Sequence, residues 1–171
     1  VMSKPEAARF LAQATFGPTE ATIDDLSYRG FARWIDEQMA LPQELHRTYV
    51  DARGSDLQAI QQDVAQAAFR ESYWKQAMNG EGQLRQRAAF ALSQIFVVSF
   101  NDAKLNIQAR GVTTFYDMLG EQAFGNYRDL LERVSLHPMM GAYLTSVRNQ
   151  KEDASGRVPD ENYAREIMQL F

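Results

Sequence analysis

The stretch that decides the fold is Gln83 to Phe100, QLRQRAAFALSQIFVVSF. Its opening carries Arg85, Gln86 and Arg87. From Ala88 onward it is apolar almost all round, interrupted by Ser93, Gln94 and Ser99. A helix polar along one side lies on a surface, whereas one apolar on every side is enclosed by other elements. The run predicts a buried central helix over 83–100 with the other helices packed round it. The fold class is all-α, an irregular multi-helix bundle in one domain spanning 1–171.

Upstream of that helix the punctuation is helical throughout. Ser3-Lys4-Pro5-Glu6 is a capping box with Pro in the first turn. Thr19 caps a second helix that ends at Gly30, and Phe31 to Ala40 forms a third with Trp34 on its apolar side. A short helix follows over Leu45 to Val50, placing His46 at the surface. Gly54-Ser55 breaks the chain, and Ser55 with Gln58 caps a helix running to Asn79. Its inner face carries Leu57, Ile60, Val64, Ala67 and Ala68. Downstream, a helix bearing Val112, Phe115, Tyr116 and Leu119 stops at Gly120, Asn126 caps the next, and His137-Pro138 ends it. Arg148 to Val158 is a long polar loop, after which Pro159 opens the last helix. No segment alternates with period two, so no strand competes.

Composition narrows the function. The chain has 171 residues, 45% hydrophobic, with 22 Asp plus Glu against 18 Lys plus Arg and no cysteine. Without cysteine there is no disulfide, thiolate metal site or Cys nucleophile. No dense Lys/Arg cluster marks a nucleic-acid face. The longest apolar run falls short of the roughly 20 residues a membrane-spanning helix needs. There is no G-x-S-x-G, phosphate-cradling glycine loop or H-E-x-x-H, so no cofactor and no metal are expected.

Side chains able to do chemistry concentrate in two places. Arg85 and Arg87 sit where the central helix turns from polar to buried, suited to ion pairs with a neighbouring helix or to a clamp for a carboxylate or phosphate. Val158 to Phe171, VPDENYAREIMQLF, gathers Asp160, Glu161, Asn162, Arg165 and Glu166 beside a loop carrying Asn149 and Lys151. Glu161 and Arg165, like Asn162 and Glu166, stand at i, i+4 spacing. Asn149, Lys151 and the 160–166 turn should meet, with unpaired helix N–H groups beside them. The apolar stripe through Ile167, Leu170 and Phe171 stops without a cap, so the chain reads as an N-terminal piece that packs against the remainder of its own chain.

These residues carry a resemblance. PDENYAREIMQLF, together with AARFLAQATFGPT (Ala7–Thr19), LRQRAAFALSQIFVVS (Leu84–Ser99), YDMLGEQAFGNYRDLLERVSLHPMMGAYL (Tyr116–Leu144) and Asn149-Gln150-Lys151, resembles the bacterial domain-of-unknown-function family 1800. The resemblance implies a longer protein, secreted or periplasmic. It also implies a nearby-encoded exported partner similar to sulfatases or alkaline phosphatases. It assigns no catalytic residue. The leading expectation is a helical module binding a protein partner or an extracellular or envelope polymer. The alternative is a hydrolase of such a polymer, using Asp160, Glu161 and Glu166 as catalytic carboxylates, with Asn149, Lys151, Asn162 and Arg165 binding substrate. A carboxylate-only calcium or magnesium site is the weakest reading.

Overall fold

The structure is a computed structural model that describes residues 2–59 and 66–171, with the side chains of 56–59 excepted. Ten helices and no strand occur among the described residues: α1 (Lys4–Ala14), α2 (Glu20–Arg29), α3 (Phe31–Ala40), α4 (His46–Ala59), α5 (Gln66–Asn79), α6 (Gln83–Ser93), α7 (Ala109–Glu121), α8 (Tyr127–Leu136), α9 (Pro138–Tyr143) and α10 (Asn162–Gln169). The all-α class is as expected.

Local chemistry starts most helices where the sequence places them. The Glu6 carboxylate accepts from the Ser3 N–H (3.0 Å) and hydroxyl (2.6 Å). Thr19 Oγ1 accepts from the Thr22 N–H, and Asn126 Oδ1 from the Arg128 N–H. Each satisfies an N–H that the first helical turn leaves unpaired.

The middle of the molecule differs from expectation. The helix begun at Gln83 ends at Ser93, whose hydroxyl donates to the Phe90 carbonyl, and the chain turns. Phe96 is then fully buried, while Ile95 (45% exposed) and Val97 face outward. A straight helix would have stacked all three along one rod. The turn lets Phe96 enter the core of Phe115, Met118, Leu119, Leu130, Val134 and Met140. The central helix is α7, buried from Val112 to Gly120 except at Thr114, and packed against α4, α5, α6, α8 and α9. A second core, Ala7, Leu11, Leu26 and Trp34, is built by α1, α2 and α3. Helix α6 joins the two: Leu84 packs on the second core and Leu92 on the first.

Two further boundaries moved. Helix α4 runs straight through Gly54 and Ser55, and Ser55 Oγ donates back to the Asp51 carbonyl instead of capping a new helix. Of the inner face expected before Asn79, Ala68 is buried and Ala67 exposed, whereas Ile60, Val64 and the side chains of Leu57 and Gln58 lie outside the described residues. No helix among the described residues is long and apolar enough to cross a membrane.

Candidate functional site

Asn149 and the start of α10 do meet. Asn149 Nδ2 donates to the Asp160 carbonyl (2.6 Å), and its Oδ1 accepts from the Asp160 N–H (2.9 Å). Thr145 Oγ1 donates to Asp160 Oδ2 (2.6 Å) and accepts from Asn162 Nδ2 (3.1 Å). Thr145 and Arg148 are held at φ 59° and 63°, a region that costs residues with a Cβ roughly 1–2 kcal/mol. The clasp of hydrogen bonds from Thr145 and Asn149 fixes the loop in that shape. Thr145 and then the Asn162 N–H hold the Asp160 carboxyl below its usual range.

The clasp also explains why α10 begins at Asn162 and not at Pro159. Asp160 Oδ1 accepts the Asn162 N–H (2.9 Å), so Asp160 caps from outside the helix and takes one of the donors expected to be open. Glu161 pairs with Arg165 at 2.5 Å. Lys151 is exposed and Glu166 half-buried, and neither joins the clasp.

Among the described residues, Arg85 and Arg87 form neither the expected carboxylate pairs nor an open clamp. Arg85 donates to the carbonyls of Gly120 (3.1 Å), Met39 (3.2 Å) and Leu41 (3.3 Å) and lies over the Phe124 ring. Arg87 Nε donates to the Gln13 carbonyl (3.2 Å), and its guanidinium lies over Phe16 and Phe90. Helix C-terminal carbonyls lack partners of their own. The two arginines supply them at the ends of α1, α3 and α7.

The most enclosed polar groups escaped the sequence. His46, expected on the surface, is 1% exposed. The Asp117 carboxylate accepts the backbone N–H groups of His46 (2.9 Å) and Arg47 (2.8 Å), so α7 caps α4 from across the core. The ring continues the network, with Nδ1 2.9 Å from Ser72 Oγ and Nε2 3.1 Å from Gln86 Oε1. Gln86 Nε2 in turn bonds Gln76 Oε1. These contacts run one way. Gln86 spends its N–H on Gln76, so its oxygen must accept, His46 Nε2 must carry the proton, and Nδ1 must accept from Ser72. The relay ends on Gln76 Nε2, which has no partner. One signal was available: Asp117 stands among the apolar residues of α7. Gln76 and Gln86 gave none.

A groove of about 610 Å³ opens between α5, α6 and the segment after Ser93. Phe69, Tyr73 and Trp74 line it from α5, Phe90 from α6, with Phe16 and Phe100 beside them. Trp74 is 59% exposed. Tyr116 lines the groove from α7, 8% exposed, with a hydroxyl that has no partner. Arg70 and Arg87 are its only charged lining residues among those described. No group of three or more His, Asp or Glu placed to hold a metal ion occurs among the described residues.

Among the described residues, ten helices round two apolar cores, a clasped polar loop and an aromatic groove define a helical module. Residues 9–171 match the family described as protein of unknown function (DUF1800), and the chain belongs to that family. No curated protein and no solved structure matches it.

Proposed function

We propose that the chain is the binding module of an exported bacterial protein and takes a strand of acidic polysaccharide along the aromatic groove. One observation carries the reading: a groove walled by aromatic faces whose only charges among the described residues are two guanidinium groups. The negative face of an aromatic ring attracts the weakly positive C–H face of a pyranose, and arginine binds a sugar carboxylate through a forked pair of N–H donors. Ser93, Gln94 and Ser99 add hydroxyl and amide partners along the same wall. Location outside the cytoplasm rests on the family resemblance.

The hydrolase reading is less well supported. Of its three carboxylates, Asp160 is held ionised inside a clasp and Glu161 is paired with arginine. A general acid or base needs a pKa near the working pH, set by a sheltered site.

Affinity electrophoresis tests the proposal. The chain is expected to be retarded in gels containing polygalacturonate and not in gels containing dextran, with retardation fading at high ionic strength. Trp74→Ala, at an exposed position, is expected to abolish retardation while leaving the melting temperature nearly unchanged. Equal mobility in all gels, or retardation that survives Trp74→Ala combined with Arg70→Ala, overturns the reading. Binding to the sulfatase-like partner through the same groove would replace a polymer ligand with a protein one.

A further inference from the structure

Beside the cores lies a second cavity, of about 300 Å³, between the link from α3 to α4 and the turn from α5 to α6. Its character is the opposite of the aromatic groove. Gln43, Glu44, Gln76, Glu81 and Arg85 line it.

Many of the polar groups around it are already matched. Gln83 Nε2 reaches the carbonyls of Gln76 (3.2 Å), Ala77 (3.2 Å) and Gly80 (2.8 Å), closing the end of α5. Gln38 Nε2 donates to the Glu81 carbonyl, and Gln38 Oε1 accepts the Leu84 N–H. Arg85 is committed to three carbonyls. Two buried side-chain atoms remain: the Gln76 Nε2 donor and the Gln43 Oε1 acceptor, both without a partner. Neither amide can turn over to cure this. Gln43 Nε2 is fixed on the Asp117 carbonyl (2.9 Å), and Gln76 Oε1 accepts the relay from Gln86. Gln76 is 2% exposed, and a buried donor left unmatched costs about 1–3 kcal/mol.

We propose that this cavity binds a small neutral polyhydroxylated molecule, a single sugar unit or cyclitol, through Gln76 Nε2 and Gln43 Oε1. A hydroxyl both donates and accepts, so neighbouring hydroxyls satisfy the two amides together. The rim carboxylates of Glu44 and Glu81 take further hydroxyl protons. An anion would face those two carboxylates with the one guanidinium already spent, and a bare ammonium would leave the Gln76 donor unmet. The volume matches the lower end of small-molecule sites. Gln76 Nε2 and Gln43 Oε1 are both covered by the wall, so small outward tilts of the two amides accompany binding. The site is separate from the aromatic groove and holds whether or not the groove binds a polymer.

Saturation-transfer NMR with D-glucose, N-acetylglucosamine and myo-inositol at millimolar concentration tests it on the purified chain. At least one probe is expected to give signal, lost on Gln76→Met. Because that change touches a buried residue, Gly82→Phe provides a second route. Gly82 lines the cavity at φ −80°, and a Cβ there meets nothing within 4 Å, so a ring can be added without a clash at its root. It is expected to weaken binding at least tenfold with the helical signal intact. Trp74→Ala is expected to leave these signals unchanged. No binding by any of the three probes, binding that persists in Gly82→Phe, or a crystal structure grown with the sugars that holds only water in the cavity overturns the proposal.

Discussion

His46 and Asp117 occupy the same buried patch and titrate in opposite senses. Burial pushes Asp117 up to about 6, even though two backbone N–H groups favour its charged form. Burial likewise pushes His46 down to about 4. Asp117 holds its proton more tightly folded than unfolded. Its contribution to stability is full below the unfolded value of 3.8 and is lost as pH rises through about 6. His46 holds its proton less tightly, so its contribution is full above 6.5 and is lost as pH falls through about 4. A shift of this size corresponds to about 3 kcal/mol. The wild-type chain is therefore expected to show little net slope between pH 4 and 6. His46→Gln should expose the Asp117 slope, with stability falling as pH rises. Asp117→Asn should expose the opposite slope. Urea denaturation across that range measures both, and slopes of the same sign would refute the assignment. At the clasp the stake is smaller. Asn149→Ala removes two exposed hydrogen bonds to Asp160 and is expected to cost roughly 1 kcal/mol, a melting loss of about 2–4 °C by calorimetry. A loss several times larger would mean that the loop supports the core.

Among the elements, α6 and the segment after it separate two meanings of an apolar run. Phe96→Ala is expected to cost about 3–5 kcal/mol, because Phe96 is fully buried beside Leu119 and Met140. Ile95→Ala, one residue away and 45% exposed, should cost under about 1 kcal/mol. Equal costs in chemical denaturation would favour a helix running unbroken to Phe100. The composition of 88–100 announced burial but not direction. Val97 and Val98 disfavour helix only mildly, and the pull of the core on Phe96 decides where the chain turns. The capped starts at Ser3, Thr19 and Asn126 were legible because their partners lie within three residues. The cap on α4 was not, since its acceptor, Asp117, is 71 residues away from His46. Separations of 26 residues from His46 to Ser72 and 40 from His46 to Gln86 hid the buried relay in the same way. The meeting of Asn149 with Asp160 was readable from a polar loop that had to return to a helix start. That Asp160 would be consumed by the clasp depended on Thr145, whose left-handed backbone leaves no mark in the sequence.

Across the whole molecule, stability is unevenly distributed. Helix α7 touches five other helices and buries nine of its residues, whereas α10 buries none and is pinned by Tyr163 to Ser135 and by Phe171 against Phe96. Native-state hydrogen exchange is expected to be slowest in α7 and fastest in α10, with α1 to α3 opening as a separate unit round their own core. Protection in α10 matching that of α7 would contradict this order. The two tryptophans fall on opposite sides of that division. Trp34 is 6% exposed inside the second core, and Trp74 stands 59% exposed on the groove wall beside Tyr73. The chain thus carries two built-in optical reporters, one shielded from an aqueous quencher such as acrylamide and one open to it. Emission that survives the quencher follows the integrity of the α1–α3 core, and the quenchable fraction follows whatever settles over Trp74, so unfolding and occupancy can be read separately from one unlabelled sample.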